Sequence, residues 1–341
     1  MIRPLVSILI PAYNAEQWIS ESLRSAITQT WEPKEIIVVD DGSTDGTLEV
    51  LGRFACDQLT VVSQKNQGAA AARNNALSLS KGDYIQYLDA DDVIAPDKIA
   101  KQMEALGQCP SKRTLLSSSW GKFVYRYHRT SFVPTALWCD LSPAEWLIRK
   151  MQNNVYMQTS TWLVSRELAE AAGPWDTRLL GDDDGEYFCR VLLASDGVRF
   201  VPEAKVYYRE AGVGSLSYIG LSDRKMDAQM HSLEMHIRYL RSLEDSPRAR
   251  QACVSYLQSW MRFFHPNRPD LVKKAKDMAA SLGQELPIPK LSWRLTLFAA
   301  IFGWRRAKRA HYLVVRFRWF AMRCWDRFLL QFESRKMRET L

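Results

Sequence analysis

Apolar positions in the first half of the chain fall into short unbroken runs separated by longer stretches of helical period. Leu5 to Ile10 is one run, closed by Pro11; Glu35 to Val39 is a second, Leu59 to Ser63 a third and Tyr84 to Leu88 a fourth. Runs of this length, rich in β-branched residues, predict strands buried on both faces. Between them, Asn14-x-x-Gln17 reads as a capping box opening a helix to about Gln29, and Gly68 to Leu79 is an Ala-rich helix whose small side chains allow close packing. Another helix follows the turn-rich segment Asp41–Gly46, and Pro96 stands where a further one starts. Strand and helix alternating over short connections predict an α/β fold: a mostly parallel sheet flanked by helices.

The pattern then loosens. Thr114 to Val133 is strand-like, Pro143 to Met151 helical, and Thr159 to Ser165 reads as a strand. A short helix ends at Gly173, the acidic segment Gly181–Glu186 follows, and a helix spans about Glu186 to Ala194. Val198–Val201 and Lys205–Arg209 read as a strand pair. After Ser217 the strands stop, residues of about 221–283 carry three helical patterns, and Pro287-Ile288-Pro289 punctuates the start of a tail. The predicted division is a sheet-bearing domain over 1–218, a helical region over 219–289 and a tail over 290–341.

Charge separates the tail from the rest. The 341 residues carry a formal +8, but from Lys290 onward there are 13 Lys/Arg against 3 Asp/Glu, which leaves the first 289 residues at −2. Residues 291–332 interleave cations with aromatics such as Trp304, Phe317, Trp325 and Phe328, and Leu295–Trp304 is apolar for about ten residues. Such a segment is long enough to enter a lipid headgroup zone and too short to span a bilayer. The tail is expected to lie on an anionic membrane surface; packing against the domain or another subunit is the second reading, and nucleic acid the least favoured. The composition, 47% hydrophobic and 25% charged, excludes collagen-like and disordered chains. No two of the six cysteines stand within four residues, so zinc and CxxC spacings are absent, and reduced thiols are expected. The N-terminal apolar run is too short for a secretory core, so the expected location is cytoplasmic, peripheral at the cytoplasmic face of the membrane.

Polar residues gather where the strands end: Tyr13 and Asn14, Asp40 and Asp41, Asn66, then Asp89 and Asp91. Parallel sheets bind ligands beyond the carboxyl ends of their strands. One such loop would be ordinary turn chemistry; four at one edge predict a site. Asp89-x-Asp91 at a strand end suits Mg²⁺ or Mn²⁺, with positions left over for phosphate oxygens. Asp41–Gly46 superficially resembles a calcium loop but has Gly52 where the twelfth-position Glu belongs.

In order and at the usual spacing, VSILIPAYN (6–14), EIIVVDDGSTDGT (35–47), NQGAAAARN (66–74) and YIQYLDADD (84–92) resemble the family-2 glycosyltransferases with the GT-A fold. GPWDTRLLGDDDGEYFCRV (173–191) is similar to that family's acidic catalytic segment, in which an Arg follows the second acid by six residues; Arg190 follows Asp184 by six. The resemblance covers about residues 4–218. It implies inverting transfer from a nucleotide-sugar, of UDP type, to a saccharide acceptor in surface glycan synthesis; the basic aromatic tail adds a lipid-linked acceptor as the other expectation. The resemblance also implies Asp184 as catalytic base with Asp183 and Arg190 in support. Pro11, Tyr13, Asp40, Arg73 and Asp89 would meet the donor nucleotide, and Asp91 with Asp89 a divalent metal, Mn²⁺ or Mg²⁺. A QxxRW segment, typical of processive members, is absent, which implies one sugar added per encounter. Tyr207-Tyr208-Arg209 has no His nearby, so the histidine metal ligand of some relatives is not expected. A sugar-nucleotide nucleotidyltransferase is disfavoured because the loop Pro11–Asn14 has neither the Gly nor the cation that cradles a triphosphate. A non-catalytic scaffold predicts lost acids, yet Asp40, Asp89, Asp91 and Asp184 are all present.

Overall fold

The computed structural model describes residues 3–54, 56–109, 111–210, 219, 222–289, 297 and 301–339. The four runs form parallel strands: β1 (Val6–Ala12), β2 (Lys34–Asp40), β3 (Leu59–Ser63) and β4 (Tyr84–Tyr87). β1, β2 and β4 are buried, whereas β3, expected to be buried on both faces, is a half-exposed edge strand with a neighbour on one side only among the described residues. The helices between them are α1 (Ile19–Ile27), α2 (Thr47–Leu51) and α3 (Ala69–Leu79). Then come β5 (Val93–Ile94), α4 (Lys98–Leu106), β6 (Thr114–Phe123), α5 (Pro143–Asn153), β7 (Val164–Ser165), α6 (Arg166–Ala172), α7 (Asp183–Ala194) and β8 (Gly197–Arg209). The main sheet runs β3-β2-β1-β4-β7, parallel except at the last strand, and a second sheet runs β5-β8-β6. Ile8, Ile10, Ile36, Val38, Val39 and Ile85 are inaccessible, as strands covered on both faces require.

Four expectations are corrected. Asn14 caps no helix: its backbone is left-handed at φ 47°, and its Oδ1 accepts the Thr44 N–H at 2.8 Å, tying the loop after β1 to the loop after β2. Thr159 to Ser165 is a 3-10 turn at Thr159–Thr161 followed by the two-residue β7, because the Gln158 side chain caps the Ser160 N–H at 2.6 Å and holds the chain in a turn. The strand pair is one strand. β8 continues through Pro202, and its pairing with β6 slips from Ser118–Val201 to Ser119–Lys205, a bulge where proline offers no N–H. The helix expected from about Glu186 begins at Asp183, which puts Asp183 and Asp184 in its first turn.

Three further helices, α8 (Asp223–Leu243), α9 (Pro247–Phe264) and α10 (Pro269–Ser281), occupy the predicted helical region. Their buried faces, including Met230, Leu233, Leu257 and Phe264, join the same core as β1 and α7, so the body has one continuous interior. The boundary expected at 218/219 and half of the Leu295–Trp304 run lie outside the described residues. The tail appears as α11 (Trp304–Glu339). Among the described residues no helix is long and apolar enough to cross a membrane.

Candidate active site

β1 is flanked by β2 on one side and β4 on the other, so the carboxyl ends of β2 and β4 stand about 10 Å apart across the end of β1. Asp40 closes β2. It is buried, and its carboxylate faces the Ser43 N–H at 3.3 Å within its own loop. Pro11 and Tyr13 leave β1 beside it, Tyr13 with its ring half exposed. Asp41, one of the strand-end acids but given no role of its own by the sequence, braces this edge. One of its oxygens accepts the Gly68 N–H at 2.7 Å, the other the Gln67 N–H at 2.9 Å and the Gln64 amide at 2.7 Å. Gly42 lies in the left-handed region at φ +73°, and a Cβ there would sit 2.9 Å from the Asn66 nitrogen, so the crossing of the two loops requires glycine. Asp41→Ala removes three charge-assisted bonds to the loop 64–68, and urea denaturation is expected to show a loss of about 2–4 kcal/mol.

The end of β4 is the acidic centre. Arg73, on α3 and almost wholly buried, donates to Asp89 at 2.7 Å and to Asp183 at 2.8 Å, and its cation lies 4.5 Å from the Trp175 ring. Asn74 exchanges two bonds with the Trp175 backbone, at 2.8 and 3.0 Å, which fastens α3 to the loop before α7. Trp175 stacks on Tyr187 with ring centroids 4.1 Å apart, a rigid aromatic floor under the acids. This lattice brings together Arg73, Asp89, Asp183 and Asp184. Asp91 stands next to Asp89. Burial and the Asp89 charge push its carboxyl up to about 6.

Asp184 accepts the Thr159 hydroxyl at 3.3 Å and the Gly185 N–H at 2.9 Å, and it makes no ion pair among the described residues. Burial first, then the charges of Asp183 and Asp182, push its carboxyl up to about 7. Asp182 does not cap α7 with its side chain. It turns away to accept from Ser232 and from Gln229 at 3.2 Å, both on α8. The tight turn this makes leaves only 2.0 Å between a Cβ at residue 185 and the Asp182 carboxylate, so any larger residue there would push that carboxylate aside. Arg190 lies off the acidic centre, paired with Glu186 at 2.8 Å and bonded to the Pro174 carbonyl at 2.9 Å; it holds the loop before α7 and touches none of Asp89, Asp183 or Asp184.

Sequence reading missed several supports. Gln158 reaches Asp92 and lies 3.5 Å from Asp89, while Arg209 donates its backbone N–H to Asp92 at 2.8 Å and its Nε to the Asp91 carbonyl at 2.7 Å. Arg209 is itself buried between the rings of Trp18 and Phe123, 4.1 and 4.4 Å away. Only the polar residue types at strand ends could have flagged these positions.

Residues 7–171 match the model of "Glycosyl transferase family 2". This segment belongs to that family. The transferase domain resembles the Bacillus subtilis putative teichuronic acid biosynthesis glycosyltransferase TuaG, 42% identical over 105 residues, which are 30% of this chain and 42% of TuaG. The chain spans less than half the length of the curated relatives it matches. In fold it resembles S. aureus TarS 1–349, crystallised with UDP-GlcNAc: TM-score 0.62 and 18% identity over 90% of this chain and 91% of that one. It also resembles the mannosyltransferase PcManGT from Pyrobaculum calidifontis in complex with GDP-Man and Mn²⁺, with a TM-score of 0.50 and 20% identity over 92% and 88% of the two chains. The architecture is the GT-A fold expected from the sequence, with helices added at the C-terminal side.

Proposed function

We propose that the protein transfers one sugar per encounter from a nucleotide-activated donor, of the UDP class, to a hydroxyl of a saccharide or lipid-linked acceptor, with inversion, in the synthesis of a surface glycan. The observation that carries this reading is the Asp89–Arg73–Asp183 bridge, which joins acids from distant parts of the chain and leaves Asp184 beside them with no cation of its own. A carboxylate whose proton affinity is near neutrality is matched to taking a proton from an attacking alcohol. Thr159 orients one of its oxygens, and the first turn of α7 fixes the other.

Asp89 and Asp91 supply oxygen ligands only, and among the described residues no group of three or more His, Cys, Asp or Glu side chains converges on a metal position. Two carboxylates would suit a hard divalent cation, which prefers oxygen ligands. A bound Mn²⁺ or Mg²⁺ would neutralise charge on the departing diphosphate. Arg73 holds Asp89 in place, and Arg209 fixes the backbone of Asp91. TuaG, by its name a teichuronic acid enzyme, and TarS, seen with UDP-GlcNAc, support the donor and product classes. Pro11, Tyr13 and Asp40 at the neighbouring strand ends would receive the nucleoside. The tail would hold the protein at the cytoplasmic face of a membrane.

Turnover of UDP- and GDP-sugars with Mn²⁺ or with a chelator tests the reading. Preference for a UDP-sugar that is lost on chelation is expected, with a product whose anomeric proton coupling in NMR shows inversion. Equal turnover in chelator removes the metal, and retained configuration removes Asp184 as base toward the acceptor.

A further inference from the structure

The tail helix α11 has two faces with different chemistry. Two of its acids, Asp326 and Glu333, turn inward. Asp326 accepts the Tyr125 N–H at 2.9 Å and the Arg126 Nε at 2.7 Å. Glu333 accepts Arg126 Nη1 at 3.0 Å, and its other oxygen lies 2.9 Å from His128 Nε2. Arg323, on the same side, donates to the Tyr125 hydroxyl at 3.2 Å. Across the helix, Leu313, Phe317, Phe320, Trp325, Phe328 and Phe332 stand between 56% and 71% exposed. At 100° per residue, Arg309, Arg316 and Arg327 edge this apolar stripe on one side and Arg318 on the other, all exposed.

A contiguous aromatic stripe of this kind is far more than scattered surface apolar residues and marks a surface that is covered in use. Its charge selects the occupant. Both edges are cationic, so a second copy would bring like charges together, whereas anionic headgroups complement them. The helix also docks at a telling place. Tyr125 packs on Trp18 with ring centroids 5.5 Å apart, Trp18 lies against Arg209, and Arg209 binds the backbone of Asp91 and the carboxylate of Asp92. The inward face of α11 thus rests on the same strand-end rim as the acidic centre.

Resting on the membrane reading above, we propose that α11 lies in an anionic lipid surface in its docked position, Phe317, Phe320 and Phe328 inserted, with the Arg126 seam carrying the catalytic crevice at the interface. The partner is the lipid surface, and an acceptor hydroxyl carried on a lipid anchor meets the crevice there.

Sedimentation of the full chain with phosphatidylglycerol-containing vesicles and with pure phosphatidylcholine vesicles tests this. Wild type is expected to favour the anionic vesicles. Phe317→Ser, Phe320→Ser and Phe328→Ser together are expected to lower that affinity by about tenfold or more, and Arg318→Glu with Arg327→Glu to abolish the preference. Arg126→Ala cuts the seam and leaves the outward face, so its affinity is expected to stay within about twofold of wild type. Wild-type sedimentation of the triple Phe variant overturns the proposal, as does loss of vesicle binding in Arg126→Ala. So does a concentration-dependent dimer in sedimentation velocity that the triple variant abolishes, because it gives the face to a second copy. Deletion of 290–341 separates the two readings: if it abolishes binding while the triple variant does not, membrane association stands and this face assignment falls; if it too binds as wild type, the membrane reading itself falls.

Discussion

Asp184→Asn is expected to lower turnover by about 10²–10⁴-fold and to leave nucleotide affinity nearly unchanged, because under the proposed reading it removes the proton acceptor and keeps the shape of the site. The pH dependence follows from the raised carboxyl at about 7. The proposed base would act as a carboxylate, so the rate is expected to climb with pH up to about 7 and then level, and the Asn variant to lose this limb. Stability moves the other way. The folded protein holds the Asp184 proton more tightly than the unfolded chain, so this contribution is fully present below about pH 4 and is lost as pH rises through about 7. At pH 8 the ionised carboxylate costs the native state on the order of 4 kcal/mol. Asp184→Asn is therefore expected to melt higher than wild type at pH 8 and equal to it near pH 4. Turnover at the wild-type rate would remove the base assignment, and an unchanged melting temperature at pH 8 would remove the electrostatic account of the site.

Arg73→Met is expected to destabilise the protein by about 3–5 kcal/mol in urea denaturation at pH 8. The variant keeps the volume of the side chain over Trp175 but leaves the Asp89 and Asp183 carboxylates facing each other without their shared cation. Both become harder to ionise, so their proton affinity rises and the deficit shrinks as pH falls; at pH 5 it is expected to be clearly smaller than at pH 8. Arg73→Lys recovers only part of the loss, since one ammonium lacks the planar fork that reaches both acids at once. A deficit equal at both pH values would mean that Arg73 acts through packing alone.

How much of this was legible beforehand differs by level. The four parallel strands, the Ala-rich α3 and the three helices of 223–281 were written in runs and periods, because burial on two faces or on one stripe leaves a local mark on the chain. Element edges failed where a side chain overrode local preference: Asn14 bonds to the neighbouring loop instead of capping, and the Gln158 cap turns the chain where a strand was expected. Pro202 interrupts the alternation of β8 without ending it, so a single bulged strand reads as two. Asp41 looked like one more loop acid, and nothing in its neighbourhood along the chain marks it as the brace for residues 64–68.

By itself the sequence determined which segments are the parallel strands, and with them the edge at which polar residues accumulate. It also determined the separation of an acidic body from a basic aromatic tail. Only the tertiary structure decided that Arg73 pairs with Asp183, 110 residues away, that Asp182 turns to α8 while Asp184 remains at the site, and which side of α11 meets the domain. The reason is physical. Apolar burial is repeated along each element and can be read residue by residue, whereas the energy of a charge depends on its distance to other charges and to water, and that distance exists only after the elements have packed.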